Sequence, residues 1–97
     1  MPFSNTQYMP YNKTTIEQLP ANRRGCYGIF QNQGGWVYVG KSDDLRSRLL
    51  DHINGDNACI NQSGATHFVV ELTSGDPSAR ERELIIECNP RCNLRVG

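Results

Sequence analysis

No stretch of this sequence is apolar for long enough to cross a membrane as a helix. Its start, Met1-Pro2-Phe3-Ser4-Asn5, lacks the basic-then-apolar order of a secretory leader, so a cytoplasmic protein with no membrane partner is expected. Neither sign of charge is in excess: ten lysines and arginines balance ten aspartates and glutamates. A chain that grips nucleic acid unaided usually carries a basic surplus, so any basic surface here must be local. The four cysteines, Cys26, Cys59, Cys88 and Cys92, form no C-x-x-C pair, and their spacing suits none of the common zinc motifs. Without a leader a disulfide framework is not expected either, and small buried thiols are the reading that remains. The sequence holds no P-loop, no dinucleotide fingerprint, no serine–histidine–aspartate pattern and no internal repeat.

What is present fits one domain of 97 residues. Residues 1–23 read as an N-terminal arm, irregular and polar at first, with Phe3, Tyr8 and Tyr11 scattered through it. Within it Thr14 to Leu19 can make one threonine-capped helical turn, stopped by Pro20. The domain proper is expected over 24–97. Gly25 to Phe30 and Trp36 to Val39 are strand-like, and the Gln31–Gly35 turn makes them an antiparallel hairpin. Gly28 hints at a bulge or a close backbone approach. A helix follows from Asp43 to His52 or Ile53, capped by Ser42, with Leu45 and Leu49 on its apolar stripe. After a loop over 54–65, with room for a short turn at Ala58-Cys59-Ile60, come a strand at Thr66–Leu72 and a helix at Ala79–Cys88, with Asp76 as cap and Pro77 at its first position. Arg91 to Leu94 reads as a short extended end. The order β-β-α-β-α gives an α+β domain: a small three-stranded antiparallel sheet flanked by helices.

The stretch from Gly34 to His52 concentrates the chemistry. Gly40 is expected to break the strand and start the turn into the helix. Arg48 and His52 lie four apart on that helix and share a face, so Tyr38, Lys41, Arg48 and His52 can converge at one end of a strand–helix unit. Two basic clusters can be drawn: Arg23, Arg24, Lys41, Arg46 and Arg48, and Arg80, Arg82, Arg91 and Arg95. The last helix adds a carboxylate out of place. Leu84, Ile85 and Cys88 follow Glu81 at helical spacing, so Glu81 heads the apolar stripe, whereas Glu83 and Glu87 do not. An inward carboxylate needs an ion-pair partner or a metal, and both options stand.

A phosphodiester hydrolase fits this set. Arg48 and Lys41 can stabilise charge building on a phosphate, and Glu81 can place a divalent cation as Lewis acid. A tyrosine can take a proton from water if neighbouring cations lower its pKa from near 10. Tyr27 and Tyr38 are equally suited to a strand core with their hydroxyls at the rim.

Gly25-Cys26-Tyr27 followed by Tyr38-Val39-Gly40 resembles the paired signature of the GIY-YIG endonucleases. The likeness continues through Lys41, Asp44-Leu45, Arg48 ten residues beyond Tyr38, His52, Glu81, Leu84-Ile85 and Asn89-Pro90-Arg91-Cys92-Asn93. It covers about residues 24 to 94 and is especially similar to the N-terminal nuclease domain of the nucleotide excision repair endonuclease. Cys26 stands where the first triplet usually has an aliphatic residue.

The resemblance implies a Mg2+-dependent DNA endonuclease, with Mn2+ able to substitute, leaving 5′-phosphate and 3′-hydroxyl ends. It implies Tyr27 as general base beside Tyr38, Arg48 on the phosphate, Glu81 as the metal ligand, Asn93 orienting the site, and His52 bonding a tyrosine or moving a proton. Lys41 matches a lysine of the repair subgroup, and Lys41, Arg46 and Arg24 join Arg48 as expected DNA contacts. No DNA-binding domain accompanies the signature, so a protein partner or a homodimer is expected to supply specificity. The alternative is a nucleic-acid-binding module of the same fold with weak or lost cleavage, acting within a complex. The zero net charge favours it, and the inward Glu81 speaks against it.

Overall fold

The β-branched and aromatic residues flanking the Gly34-Gly35 pair form the central hairpin, and the rest of the chain packs on its two faces. The computed structural model describes residues 3–5 and 7–93. In chain order the elements are β1 (Met9–Pro10), α1 (Lys13–Glu17), β2 (Gly25–Gln31), β3 (Gly35–Ser42), α2 (Leu45–Ile53), α3 (Ala58–Gln62), β4 (His67–Leu72) and α4 (Ser78–Cys88). A 3-10 turn at Arg91–Asn93 follows. The strands make one sheet in the order β1-β4-β2-β3, antiparallel at every pairing.

The expected three-stranded sheet is β2, β3 and β4, with β1 added as a two-residue edge pairing Met9 with Phe68 and Pro10 with His67. The first residues are less irregular than their composition suggests, because their aromatics find apolar partners. Phe3 is buried and stacks at 5.3 Å on Trp36, while Tyr8 meets Phe30 at 5.6 Å. Burying a side chain of that size contributes about 1.5–3 kcal/mol, enough to offset ordering one or two residues. In α1 the cap is Asn12, whose Oδ1 accepts the Thr15 N–H at 2.8 Å, rather than a threonine.

One face of the sheet, with Tyr27, Ile29, Val37 and Phe68, packs against Ile16 of α1, Leu45 and Leu49 of α2 and Ile60 of α3. The other, with Cys26, Val39 and Val69, packs against Leu84 of α4 and Phe3. An irregularity in the hairpin decides which tyrosines share a face. Ile29 pairs with Tyr38 but Phe30 pairs with Trp36, so Val37 is an extra residue in β3. Without that bulge Tyr38 would alternate onto the α4 face; with it, Tyr38 stands on the face of Tyr27.

Several sequence expectations change here. β3 does not stop at Val39 but runs through Gly40 to Ser42. Gly40 is there because it lies opposite Tyr27: a Cβ on it would sit 2.5 Å from the Tyr27 hydroxyl. The α2 cap is Asp44, which accepts from the Ser47 N–H, and Ser42 instead accepts the Asp44 N–H. Pro77 occupies the cap position of α4, and Asp76 Oδ1 accepts the Ser78 N–H at 2.9 Å. The expected extended end is the 3-10 turn, and Leu94 and Arg95 lie outside the described residues.

The cysteines also differ. Cys26 is a buried thiol and Cys88 a half-buried one, as expected, but Cys59 and Cys92 are disulfide-bonded across 33 residues. α3 and the 3-10 turn come to lie side by side, with Cα atoms 5.6 Å apart. That approach is a tertiary event, and residue spacing carries no sign of it.

Candidate active site

The polar residues of the α2 face are joined in a chain. The Tyr27 hydroxyl, on a side chain only 1% exposed, lies 2.7 Å from His52 Nε2. His52 is fully buried, and its Nδ1 lies 3.1 Å from Asp56 Oδ1. The other carboxylate oxygen of Asp56 accepts from Arg48 Nη1 at 2.7 Å. Tyr38 completes the group, its ring 6.1 Å from Tyr27 and 5.3 Å from His52, but it is half-buried rather than enclosed. The helical spacing of Arg48 and His52 does bring them together with both tyrosines.

Burial sets the electrostatics of this cluster. It raises the Tyr27 pKa far above the ordinary phenol, reinforced by Tyr38 and opposed by Arg48. Burial and the Arg48 charge lower the His52 pKa, against the pull of Asp56, so the imidazole is neutral at neutral pH and able to receive a proton. Burial alone would raise Asp56, but the bond from Arg48 and the proximity of His52 outweigh it and hold the carboxyl below its usual range.

Lys41 and Glu81 belong to the other side. Lys41 pairs with Cys26, on the α4 face, and its Nζ donates to Ser78 Oγ at 2.6 Å at the start of α4. Lys41, Arg24 and Ser78 line a polar cleft of about 430 Å3, and Arg24 itself pairs with Asp43 at 3.1 Å. Glu81 is half-buried in the first turn of α4, close enough to Cys26 to add to the rise that burial, and then Glu71, give its thiol pKa. Among the described residues no hydrogen bond or ring contact links Lys41 or Glu81 to the tyrosine cluster.

Asn93 spans the free edge of β3 between these two groups. Its Oδ1 accepts the Val39 N–H at 2.7 Å and its Nδ2 donates to the Val39 carbonyl at 2.9 Å. Arg46 is half-buried on α2 and makes no ion pair among the described residues. Of the second basic cluster, Arg82 is exposed and makes no ion pair among the described residues, while Arg80 and Arg91 are structural. Arg80 is bidentate to Glu71 at 2.6 and 3.0 Å, and Arg91 donates to the carbonyls of Gly34 and Ser63.

The residues fit a divalent cation in one way. Of the half-buried carboxylates among the described residues, Asp44 caps α2 and Glu71 is locked to Arg80, while Glu81 has no hydrogen-bond or ion-pair partner. No cluster of three ligating side chains exists among the described residues. The donor set therefore suits a hard cation that keeps most of its waters on a single carboxylate.

Asp56 is the site residue that sequence reasoning missed. A signal was available: Asn54-Gly55 directly after a helix is a common helix stop, and the residue after it folds back over the last turn. Gly55 has φ +103, its N–H bonds the His52 carbonyl at 3.1 Å, and the Asp56 N–H bonds the Asp51 carbonyl at 3.2 Å.

Over residues 23–90 the sequence matches the GIY-YIG catalytic domain. It is 34% identical over 92 residues to the UvrABC system protein C of Anaeromyxobacter sp. (strain Fw109-5), covering 87% of this chain and 13% of that protein. Against the protein of the same name from Prosthecochloris aestuarii it is 34% identical over 99 residues, covering 90% and 16%. The chain thus spans only 13% to 16% of the length of these two curated relatives. Its fold is similar to the GIY-YIG N-terminal endonuclease domain of UvrC from Thermotoga maritima, solved as a point mutant bound to its catalytic divalent cation. The TM-score is 0.72 and the identity 25%, over 86% of this chain and 94% of that one. With the signature tyrosines on neighbouring strands, the arginine and histidine on the helix after them and a carboxylate at the head of the last helix, this chain belongs to the GIY-YIG endonuclease family.

Proposed function

We propose that this domain hydrolyses DNA phosphodiester bonds with one divalent cation, Mg2+ or in its place Mn2+, held on Glu81. The observation that carries the reading is the bond between the buried Tyr27 hydroxyl and neutral His52. When bound, the cation supplies Lewis-acid stabilisation of charge on the scissile phosphate. The protein's own residues do the rest. Tyr27 takes a proton from the attacking water and passes its own to His52 Nε2, so a phenol with a raised pKa need never exist free as phenolate. Arg48 exchanges part of its contact with Asp56 for a phosphate oxygen and holds the phosphate against the attack. Lys41 and Arg24 line the neighbouring cleft and meet the flanking backbone, and Arg46 on α2 adds a further DNA contact. Asn93 keeps the β3 edge, and with it Tyr38, in register. The P–O3′ bond breaks, leaving a 5′-phosphate and a 3′-hydroxyl that draws its proton from solvent.

We also propose a partner protein or a second copy as the source of specificity, and a cytoplasmic setting. Zero net charge, with Arg24, Arg48 and Arg80 already in ion pairs, leaves a limited basic surface to grip DNA alone. In a reducing cytosol Cys59 and Cys92 would stand as adjacent thiols.

A second assignment of the base has its own support: Tyr38 is half-exposed, whereas Tyr27 is enclosed. A cleavage assay on plasmid, flap, branched and single-stranded DNA with Mg2+ or Mn2+ tests the function. Tyr27→Phe and Tyr38→Phe then separate the bases, because loss of the true base lowers kcat and removes its limb from the pH profile. No cleavage of any substrate with either metal, alongside retained DNA binding, would replace this reading by that of a binding module.

A further inference from the structure

We propose that Asp56 is a positioning residue for the tyrosine–histidine pair, holding the proton of His52 on Nδ1 so that its bare Nε2 faces the Tyr27 hydroxyl. This rests on the reading of Tyr27 and His52 just given and extends it to a residue outside the family signature.

A neutral imidazole has one N–H and one lone pair, and a carboxylate only accepts. With Asp56 Oδ1 at 3.1 Å from Nδ1, the proton belongs on Nδ1; the opposite tautomer would point a lone pair at a carboxylate. Nε2 is then an acceptor, and the Tyr27 O–H at 2.7 Å is its donor. When the tyrosine proton moves to Nε2, the imidazolium that forms lies between the tyrosine and Asp56, and the carboxylate stabilises it. Asp56 Oδ2 meanwhile holds Arg48, whose charge would otherwise bear unbalanced on that imidazolium.

Local structure does not account for an aspartate at this place. Asp56 follows the C-terminal end of α2, where the helix dipole disfavours negative charge. Its ion pair with Arg48 lies at the surface, the two side chains being 37% and 39% exposed, so no buried cation requires an aspartate here. What it does have is a fixed backbone, pinned by Gly55 at φ +103 and by its own N–H on the Asp51 carbonyl.

Ring-nitrogen NMR tests the proposal without metal or DNA. The chain has two histidines, and His67→Gln leaves His52 alone in the spectrum. The wild-type protein is expected in the Nδ1–H form. Asp56→Ala is expected to lose that preference and to lower the protonation midpoint of His52. The groups facing His52 are Tyr27 from β2, Tyr38 from β3, Arg48 and Asp51 on α2, and Asp56 after it; of these carboxylates Asp56 is the one in contact. In the cleavage assay Asp56→Ala should lower kcat about tenfold to a hundredfold with a smaller change in KM. Asp56→Asn keeps an oxygen acceptor and should restore the Nδ1–H form and part of kcat. Wild-type His52 in the Nε2–H form overturns the proposal whether or not any variant folds. So does an Asp56→Ala protein with the wild-type tautomer. Absence of cleavage by the wild type strikes the nuclease reading instead and leaves the tautomer result to decide Asp56.

Discussion

The two faces of the sheet handle their polar groups in opposite ways. Under α2, Tyr27, His52, Asp56 and Arg48 are joined in a hydrogen-bonded chain, with both ring nitrogens of His52 partnered. Under α4, the lining of Cys26, Val39, Val69 and Leu84 is apolar, and Glu81 at its front has no partner among the described residues. A buried polar group left unpaired costs about 1–3 kcal/mol, so the α2 face could not enclose a histidine without completing its bonds. A half-buried carboxylate keeps water on its open side and avoids most of that cost. The chain around His52 is therefore closed before any ligand arrives, although the buried Tyr11 hydroxyl on that face has no partner among the described residues, whereas Glu81 on the other is satisfied only with a ligand. The free edge of β3, held by Asn93, is the seam between them.

The largest expected effect breaks this contrast on the open side. Glu81→Ala should reduce metal-dependent cleavage by about a thousandfold or more, since it removes the Lewis acid's anchor, worth several kcal/mol of transition-state stabilisation. Melting temperature should change little, because the carboxylate holds no other group. Mn2+ added to the wild-type protein should broaden amide resonances in the first turn of α4 well before those around His52. Equal broadening on both faces, or full cleavage by Glu81→Ala, would end the distinction.

The open face could be read from the sequence and the closed one only in part, for a physical reason. Glu81 was legible because helical periodicity fixes which side of α4 it takes. Tyr27 and Tyr38 were legible as neighbouring strand residues. Their common face was not, because it depends on the extra residue Val37, and alternation alone sets them on opposite sides. Lys41 grouped with Arg48 and His52 by proximity in sequence, yet register turns it to α4. Asp56 lies beyond the helix, where periodicity no longer applies and a left-handed glycine decides the direction. The β1 edge and the Cys59–Cys92 bond join segments far apart in the chain, and nothing local encodes such meetings.

The seam offers the next test. The Cys59–Cys92 bond closes a loop of 33 residues onto the 3-10 turn that carries Asn93. Losing a cross-link of that span costs about 2–4 kcal/mol. Cys92→Ser, or a thiol reductant on the wild type, should lower thermal stability accordingly. Hydrogen exchange at the Val39 amide should rise together with that loss, since Asn93 is its acceptor. A stability loss that left Val39 protected would show that the edge strap holds without the disulfide.

A smaller effect should fall on the closed face alone. Gly40→Ala places a methyl group 2.5 Å from the Tyr27 hydroxyl. Overpacking of this kind costs about 1–3 kcal/mol. The ring must shift, so the Tyr27–His52 bond should lengthen and the His52 titration move, while Mn2+ broadening at Glu81 stays as in the wild type. Loss of both signatures together would mean that the faces are mechanically coupled through β3.

The smallest effect separates the two faces by their response to acid. Glu71, on the α4 face, is held below the usual carboxylate range chiefly by its bonds from Arg80, with the Ser4 N–H adding to them. A depressed carboxyl contributes stability that is present above its ordinary pKa, here 4.5, and lost as pH falls through the lower folded value. Asp56 is depressed in the same direction, but at 39% side-chain exposure water screens most of its contribution, whereas the Glu71 side chain is 12% exposed. The acid limb of the stability curve should therefore belong mainly to the α4 face. Comparing melting temperatures of Glu71→Gln and wild type from neutral pH down to about pH 3 should show a gap that narrows as the wild-type Glu71 takes up its proton. The same series with Asp56→Asn should show a smaller gap throughout. A gap for Glu71→Gln that does not change with pH would mean that Arg80 holds the amide as well as it holds the charge, and that acid sensitivity does not divide the two faces.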